Sequence, residues 1–282
     1  MKVLIGITSK NRAAILPKAI TAALSQTYPD KAVAVFDDAS DDNTRELVSQ
    51  FNAVQWTLAD KPVGYLFARN KFMRETDADV YCSLDDDSWF MSDDGLAAAM
   101  EHLRTHPSCA AIAFDILSPD RPAPTGSDST PRPVGTFIGC GHLLRLDIVR
   151  MIGGYTPNPG YYGGEEKDLA IQLMDRGYSI DLLPGVHIWH DKTNVARNLR
   201  HQHRSGVCND LTFAWRRIPS RYLAPVLVGK VFNHLRFSII RGYTTPCLLG
   251  MFDFARLLFT FRIPRKPVKP ATYRNFRRLN RQ

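Results

Sequence analysis

Short, wholly apolar runs alternate with helix-period segments along the first two-thirds of the chain. Val3–Ile7 is the first such run, closed by the polar Thr8-Ser9-Lys10-Asn11-Arg12. A run this short, without polar alternation, predicts a strand buried on both faces. Apolar positions at Ile15, Leu16, Ala19, Ile20, Ala23 and Leu24 then follow a helical spacing over 14–26, with Pro17 in the first turn, where proline is tolerated. A second strand is predicted at 32–36, and a helix after it with Ser40 or Asp41 as its N-cap. Further strands are expected at 54–58, 80–84 and 110–114, and further helices at 65–75 (after Gly64) and 93–105. Residues 118–135 are rich in Pro, Ser, Asp and Gly and read as a loop, followed by a returning strand at 139–145. The Gly- and Tyr-rich stretch 153–164 is expected to be mobile. Glu165 opens a helix that Gly177 ends, and two short strands, 180–183 and 186–189, bracket Pro184-Gly185.

This order predicts an α/β fold: a mainly parallel sheet with helices on both faces. Ligands bind such sheets beyond the carboxyl ends of the strands. Asp37-Asp38 and Asp85-Asp86-Asp87 both fall at strand ends of that kind. Beyond about residue 205 only helices are expected. Segments 222–241 and 246–262 are apolar with regularly placed cations, and neither reaches the roughly 18 charge-poor residues that a spanning helix needs. The expected organisation is an α/β domain over 1–204 and a basic, amphipathic helical extension over 205–282.

Charge sharpens that division. The net charge is +8, yet residues 192–282 carry 19 Lys and Arg against only Asp210 and Asp253. An extension so basic calls for an anionic partner, a membrane surface or a nucleic acid. The five cysteines are scattered and form no C-x-x-C pair, which argues against a disulfide framework or a zinc site and suits a reducing cytoplasm. Met1-Lys2 leads directly into the first strand with no signal-peptide pattern.

Three successive carboxylates at a strand end repel one another, and a divalent cation relieves the repulsion. Mg²⁺ or Mn²⁺ takes one or two carboxylates together with phosphate and water oxygens. The competing reading of Asp85-Asp86-Asp87 is a solvated acidic turn, and the buried strand before it favours a site. Asp37-Asp38 can accept hydrogen bonds from a nucleotide or simply cap a helix. Glu165, Glu166 and Asp168 can supply a general base or simply stabilise a helix N-terminus. His187 and His190 are candidate metal ligands, although lone histidines are more often structural.

Taken in order, these segments resemble the family-two glycosyltransferases of the GT-A fold, from Lys2 to about Asp191. The matching pieces are Ile7-Thr8-Ser9-Lys10-Asn11-Arg12, Ser25-Gln26-Thr27-Tyr28, Asp37-Asp38-Ala39-Ser40-Asp41-Asp42-Asn43-Thr44, Gly64 with Ala68-Arg69-Asn70, Asp85-Asp86-Asp87, Gly164-Glu165-Glu166-Lys167-Asp168-Leu169, and Trp189-His190. The resemblance implies an inverting transferase that takes a sugar from a nucleotide-sugar donor. It places Thr8 and Asp38 on the base, with Arg69 nearby, and Asn11, Arg12 and Asp86 in the donor site. Asp85 would bind ribose and metal, Asp87 would be the closest ligand of Mn²⁺ or Mg²⁺, and His190 a further contact. Glu166 stands where the family has its aspartate base, so Glu165 and Asp168 remain alternatives.

The donor expected from the resemblance is a UDP-sugar, and the acceptor a saccharide or a lipid-linked hydroxyl in cell-surface glycan synthesis. The basic extension then suits a cytoplasmic enzyme resting on the anionic inner membrane face. Alternatively its apolar faces pack against the catalytic domain or form a homodimer. A nucleotidyltransferase would also use paired acids and a metal, but it usually has a glycine-rich loop after the first strand, and 8–12 contains no glycine. A nucleic-acid-binding protein would leave the acidic strand ends unexplained, so no nucleic-acid partner is expected.

Overall fold

The computed structural model describes residues 1–121, 130–160, 162–192, 198–260 and 262–281. The chain forms two compact units: Met1–Gly154 with Arg176–Thr193, and Tyr155–Asp175 with Asn194–Gln282. The expected boundary at 204 falls inside a helix, and segment 155–175 belongs with the C-terminal helices.

The first unit is built on nine strands: β1 (Val3–Ser9), β2 (Lys31–Asp37), β3 (Val54–Leu58), β4 (Val80–Asp85), β5 (Ser88–Phe90), β6 (Cys109–Leu117), β7 (Arg132–Pro133), β8 (Gly141–Arg145) and β9 (Ser179–His190). They lie in the order β3-β2-β1-β4-β8-β6-β9-β5, with β7 on β9. The half β3-β2-β1-β4 is parallel throughout. Beyond β4 the sheet is mixed, because β8 runs antiparallel to both β4 and β6. β1 is buried at every position, as its unbroken apolar run requires.

Helices α1 (Leu16–Leu24), α2 (Tyr65–Glu75), α3 (Gly95–Thr105) and α4 (Leu146–Ile152) complete the unit. α1 turns Leu16, Ala19, Ile20 and Ala23 into the core, the stripe its periodicity predicts. The helix expected after Ser40 is a 3-10 helix over Asn43–Ser49, and its N-cap is Asp42, whose carboxylate accepts from Thr44 N at 2.9 Å. The two short strands expected around Pro184-Gly185 are one strand, β9, carrying a bulge. Its pairing with β6 jumps from Leu183 opposite Phe114 to His187 opposite Asp115. Proline is tolerated there because the ladder is already interrupted. Residues 122–129 of the expected loop lie outside the described residues.

The second unit is helical: α5 (Glu165–Asp175), α6 (Leu199–Arg217), α7 (Ser220–Arg241), α8 (Thr244–Phe259) and α9 (Pro270–Leu279). α6 is its centre and buries Val207, Leu211, Phe213 and Ala214. α9 presents Tyr273 and Phe276 to Phe213 and Ile171, so the apolar face of this basic helix is already covered. Within the stretch expected to be mobile, Asn209 of α6 donates to the carbonyls of Gly160, Tyr162 and Gly163, at 3.1, 3.0 and 2.8 Å, and accepts from Gly160 N at 2.7 Å.

The expectation that no helix reaches spanning length is corrected by α7. Its 22 residues, with a mean hydropathy of 1.2 in the most apolar window, are long and apolar enough to cross a membrane by length and composition.

Asp210 ties α5, α6 and α7 together. It is ion-paired with Lys167, accepts from Lys230 at 2.7 Å and faces His234 Nε2 at 3.0 Å. Burial would raise its carboxyl pKa, but the hydrogen bond from His234 and the charges of Lys167 and Lys230 outweigh that and hold it far below the ordinary range. A depressed carboxylate contributes stability above the unfolded pKa, and the contribution fades as pH falls below it. Asp210→Asn is therefore expected to lower stability at neutral pH by roughly 2–3 kcal/mol, a buried-pair cost discounted for partial exposure. In thermal melts, the gap to wild type should narrow as pH drops below about 4.

Candidate active site

Strand β4 delivers the acidic triplet into a tight turn. Asp85 N donates to Ser88 Oγ at 2.8 Å, and Ser88 Oγ donates to Cys140 O at 2.7 Å, which pins the turn to the segment before β8. The three carboxylates take different surroundings. Asp85 is the most open, with a side chain 32% exposed, and Arg69 Nη2 donates to its Oδ1 at 2.6 Å. Arg69 itself is buried on α2, donates also to Gly139 O at 3.0 Å and lies over the ring of Tyr65. Its guanidinium thus holds Asp85.

Asp86 points beneath the loop that follows β1. Arg12 Nε is 3.9 Å from its Oδ1, and Lys10 N donates to Oδ2 at 3.4 Å. Burial pushes its carboxyl up to about 7, and the neighbouring charges of Asp87 and Asp85 add to the rise while Arg12 opposes it.

Asp87 is 2% exposed. The antiparallel pairing of β5 with β9 sets Ser88 opposite His190, and His190 Nε2 comes within 3.4 Å of Asp87 Oδ1. Asp191 N also donates to Asp87 O at 2.9 Å, fixing the backbone of the turn. His187 instead faces Asp115, at 3.7 Å.

The donor set fits a divalent cation. Buried, mutually repelling carboxylates beside an imidazole are relieved by a positive ion, and oxygen with one nitrogen suits Mn²⁺ or Mg²⁺. Asp87 and His190 already stand together, whereas Asp85 is turned to Arg69. Among the described residues the one three-ligand group that converges is His102, Cys109 and Asp181, which is a different set.

The loops after β1 and β2 interlock, which gives the Asn11-Arg12 and Ser40-Asp42-Thr44 patterns a local reason. Asn11 takes a left-handed conformation, φ 56°, and its N–H donates to Ser40 Oγ at 2.8 Å. Asp41 N donates to Asn11 Oδ1, Ala13 N to Asp42 Oδ2, and Arg12 N to Thr44 Oγ1, at 2.9, 3.0 and 3.3 Å. Thr8, the penultimate residue of β1, is in register with Asp85. Asp37 is wholly buried and paired with Arg45 at 3.1 Å. Both oxygens of Asp38 accept backbone amides, from Val63 at 2.6 Å and from Gly64 at 3.0 Å. Gly64 has φ 89° at the N-cap of α2, a conformation open to glycine and strained for other residues. Asp38 therefore positions the start of the helix that carries Arg69.

In the second unit the acids at the start of α5 separate by environment. Asp168 is 1% exposed and saturated: Arg217 donates to both its oxygens at 2.7 and 2.8 Å, and Thr156 and Gln172 donate as well. Glu165 is buried, with Asn158 Nδ2 at 3.5 Å. Glu166 is half-buried. Asp168 is thus engaged by Arg217, Thr156 and Gln172 within the second unit. No motif in the sequence singles out Ser88, Asn209 or Arg217. Ser88 adjoins the triplet, but the partners of Asn209 and Arg217 lie 46–61 residues away from them in sequence, with no local signal.

The first unit is thus an open α/β sheet with an acidic turn at a strand end, the β9 histidine His190 set against that turn and interlocked loops beside it. The profile of the family described as glycosyl transferase family 2 matches residues 4–151. The chain belongs to that family. No curated protein sequence matches it significantly. Among solved structures it is similar to a mannosyltransferase from Pyrobaculum calidifontis in complex with GDP-Man and Mn²⁺: TM-score 0.62, 14% identity, 91% of this chain and 86% of that one. It is also similar to S. aureus TarS 1–349 in complex with UDP-GlcNAc: TM-score 0.66, 13% identity, 94% and 82%. GalNAc-T7 with UDP, GalNAc and Mn²⁺ gives TM-score 0.63 and 14% identity over 96% of this chain and 59% of that one. Family membership decides between sugar transfer and the nucleotidyltransferase alternative.

Proposed function

We propose that this protein is an inverting glycosyltransferase that moves a sugar from a nucleotide-diphosphate sugar, with UDP as the nucleotide, to a hydroxyl of a saccharide or lipid-linked acceptor in cell-surface glycan synthesis. The observation that carries the reading is the turn at 85–88, where Asp87 is buried against His190 and Asp85 is fixed by Arg69. Asp87 and His190, completed by donor phosphate oxygens and by Asp85, would hold Mn²⁺ or Mg²⁺. When bound, the ion neutralises the diphosphate as it leaves. Thr8, Asn11, Arg12, Asp38, Arg69 and Asp86 form the donor side. Glu166 takes the proton of the acceptor hydroxyl as its oxygen forms a bond to C1 and the bond from C1 to the diphosphate oxygen breaks. The relatives' donors, GDP-Man and UDP-GlcNAc, support a nucleotide sugar as substrate class. We also place the protein on the cytoplasmic face of the membrane as a peripheral enzyme, supported by its basic second unit.

The test is a thermal-shift screen of UDP-, GDP- and dTDP-sugars with and without Mn²⁺. Binding to the folded state alone raises the melting temperature, by about 2.7 kcal/mol of stability at a hundredfold excess over Kd. A metal-dependent rise with one donor is the expected result. No rise with any of them would reject the proposal.

A further inference from the structure

Helices α7 and α8 form a hairpin turned by Gly242, and both rest on α6. Their inner sides are firmly held. Lys230 and His234 of α7 meet Asp210, and Arg204 of α6 donates to both oxygens of Asp253 on α8 at 2.6 and 2.9 Å. A Cβ at Gly250 would lie 2.5 Å from Arg204 O, so α8 approaches the α6 backbone as closely as glycine allows.

The outer side is different. Val228, Phe232, Ile239 and Ile240 of α7 and Phe252 and Phe259 of α8 are each 63–81% exposed. Large apolar side chains are rarely left in such a group on a protein that stays in water. Exposed arginines lie among them: Arg236, Arg241 and Arg256. At the turn of the hairpin, an open cavity of about 590 Å³ is lined by Asn198, Leu199, Arg200, Arg241, Gly242 and Tyr243. Among the described residues no carboxylate pairs with Arg200 or Arg241. The two acids in this stretch, Asp210 and Asp253, are already bound by internal cations, so the surplus positive charge faces outward.

We infer that the α7–α8 hairpin is a membrane-docking surface that lies in the plane of an anionic phospholipid leaflet, with its apolar face at the acyl boundary and a lipid phosphate seated between Arg200 and Arg241. The inference rests on the peripheral placement proposed above and names the surface responsible. Charge complementarity selects the occupant. A second copy would bring the same arginines against one another, and like charges across an interface oppose association. An anionic leaflet offers hydrocarbon to the apolar face and phosphate to the arginines. Docking is in-plane although α7 is long enough to span. Crossing would carry Lys230 and His234, midway along α7, into hydrocarbon and away from Asp210.

The test uses the full chain in co-sedimentation with vesicles of phosphatidylcholine alone or mixed equally with phosphatidylglycerol. Wild type is expected to bind the mixed vesicles at low salt, to bind neutral ones at least tenfold less, and to be released by alkaline carbonate. Two double variants, Ile239→Glu with Ile240→Glu and Arg200→Glu with Arg241→Glu, should each weaken binding at least tenfold. Both should keep the wild-type melting temperature and its donor-induced shift. The inference is overturned if wild type ignores anionic vesicles, binds neutral ones equally well or resists carbonate, if either variant binds like wild type, or if the patch is covered by a stable dimer in solution. Loss of the donor-induced shift in all chains, with vesicle binding intact, would reject the transferase proposal and leave the docking surface standing.

Discussion

Replacing Asp87 with alanine is expected to lower sugar transfer by about a hundred- to a thousandfold and to abolish metal-dependent donor binding. Asp87 is buried beside His190, and its backbone is fixed by Asp191, so no neighbouring carboxylate can take its place without moving the turn. Asp85 is restrained by Arg69, and Asp86 points towards Arg12. The substitution also removes one of three crowded negative charges. The metal-free variant should therefore melt no earlier than wild type, which separates lost chemistry from lost folding. Calorimetry with UDP and Mn²⁺ reads the effect directly, and an unchanged affinity would eliminate Asp87 as a metal ligand.

Glu166→Gln is expected to reduce transfer by about 10²–10⁴ while donor affinity stays at the wild-type value. The glutamine keeps the size and the hydrogen-bonding oxygen but cannot take the acceptor proton. Asp168→Asn separates the two roles. It removes the charge that meets Arg217 in a buried bidentate pair, and breaking such a pair costs about 3–5 kcal/mol. That variant should lose thermal stability first, with activity following. Normal turnover in Glu166→Gln would move the base to Glu165, which is buried next to Asn158, or to Asp168.

The first unit was largely legible in the sequence, for a physical reason. Its central strands β1, β4 and β6 are buried almost throughout, and α1 carries a clean apolar stripe. β3 at 54–58 and α2 at 65–75 appear at their predicted bounds, α2 because Gly64 marks its start. The acidic turn was legible because the buried strand before it makes three carboxylates conspicuous. The second unit was harder. α6 is buried around much of its circumference and mixes Arg, His, Asn and Thr with its apolar residues, so it has no stripe to detect. The basic sequence of α9 suggests a solvated helix, yet Tyr273, Phe276 and Leu279 are buried. α4 is short and begins directly at the end of β8, without a turn residue to announce it. Contacts that join distant positions, such as Arg69 with Asp85 and Arg217 with Asp168, exist only once the chain is folded.

The bulge in β9 makes that strand two segments with independent facing. The segment before Leu183 is fixed by β6, and the segment after His187 by β6 and β5 together. Gly185, between them, is exposed with open space around it. A residue inserted beside Gly185 would lengthen the bulge and leave both halves where they are. The same insertion after Ile188 would reverse the alternation and turn His190 to the opposite side of the sheet, away from Asp87. The chain can thus vary in length within a few residues of its metal site, provided the change falls on the near side of His187.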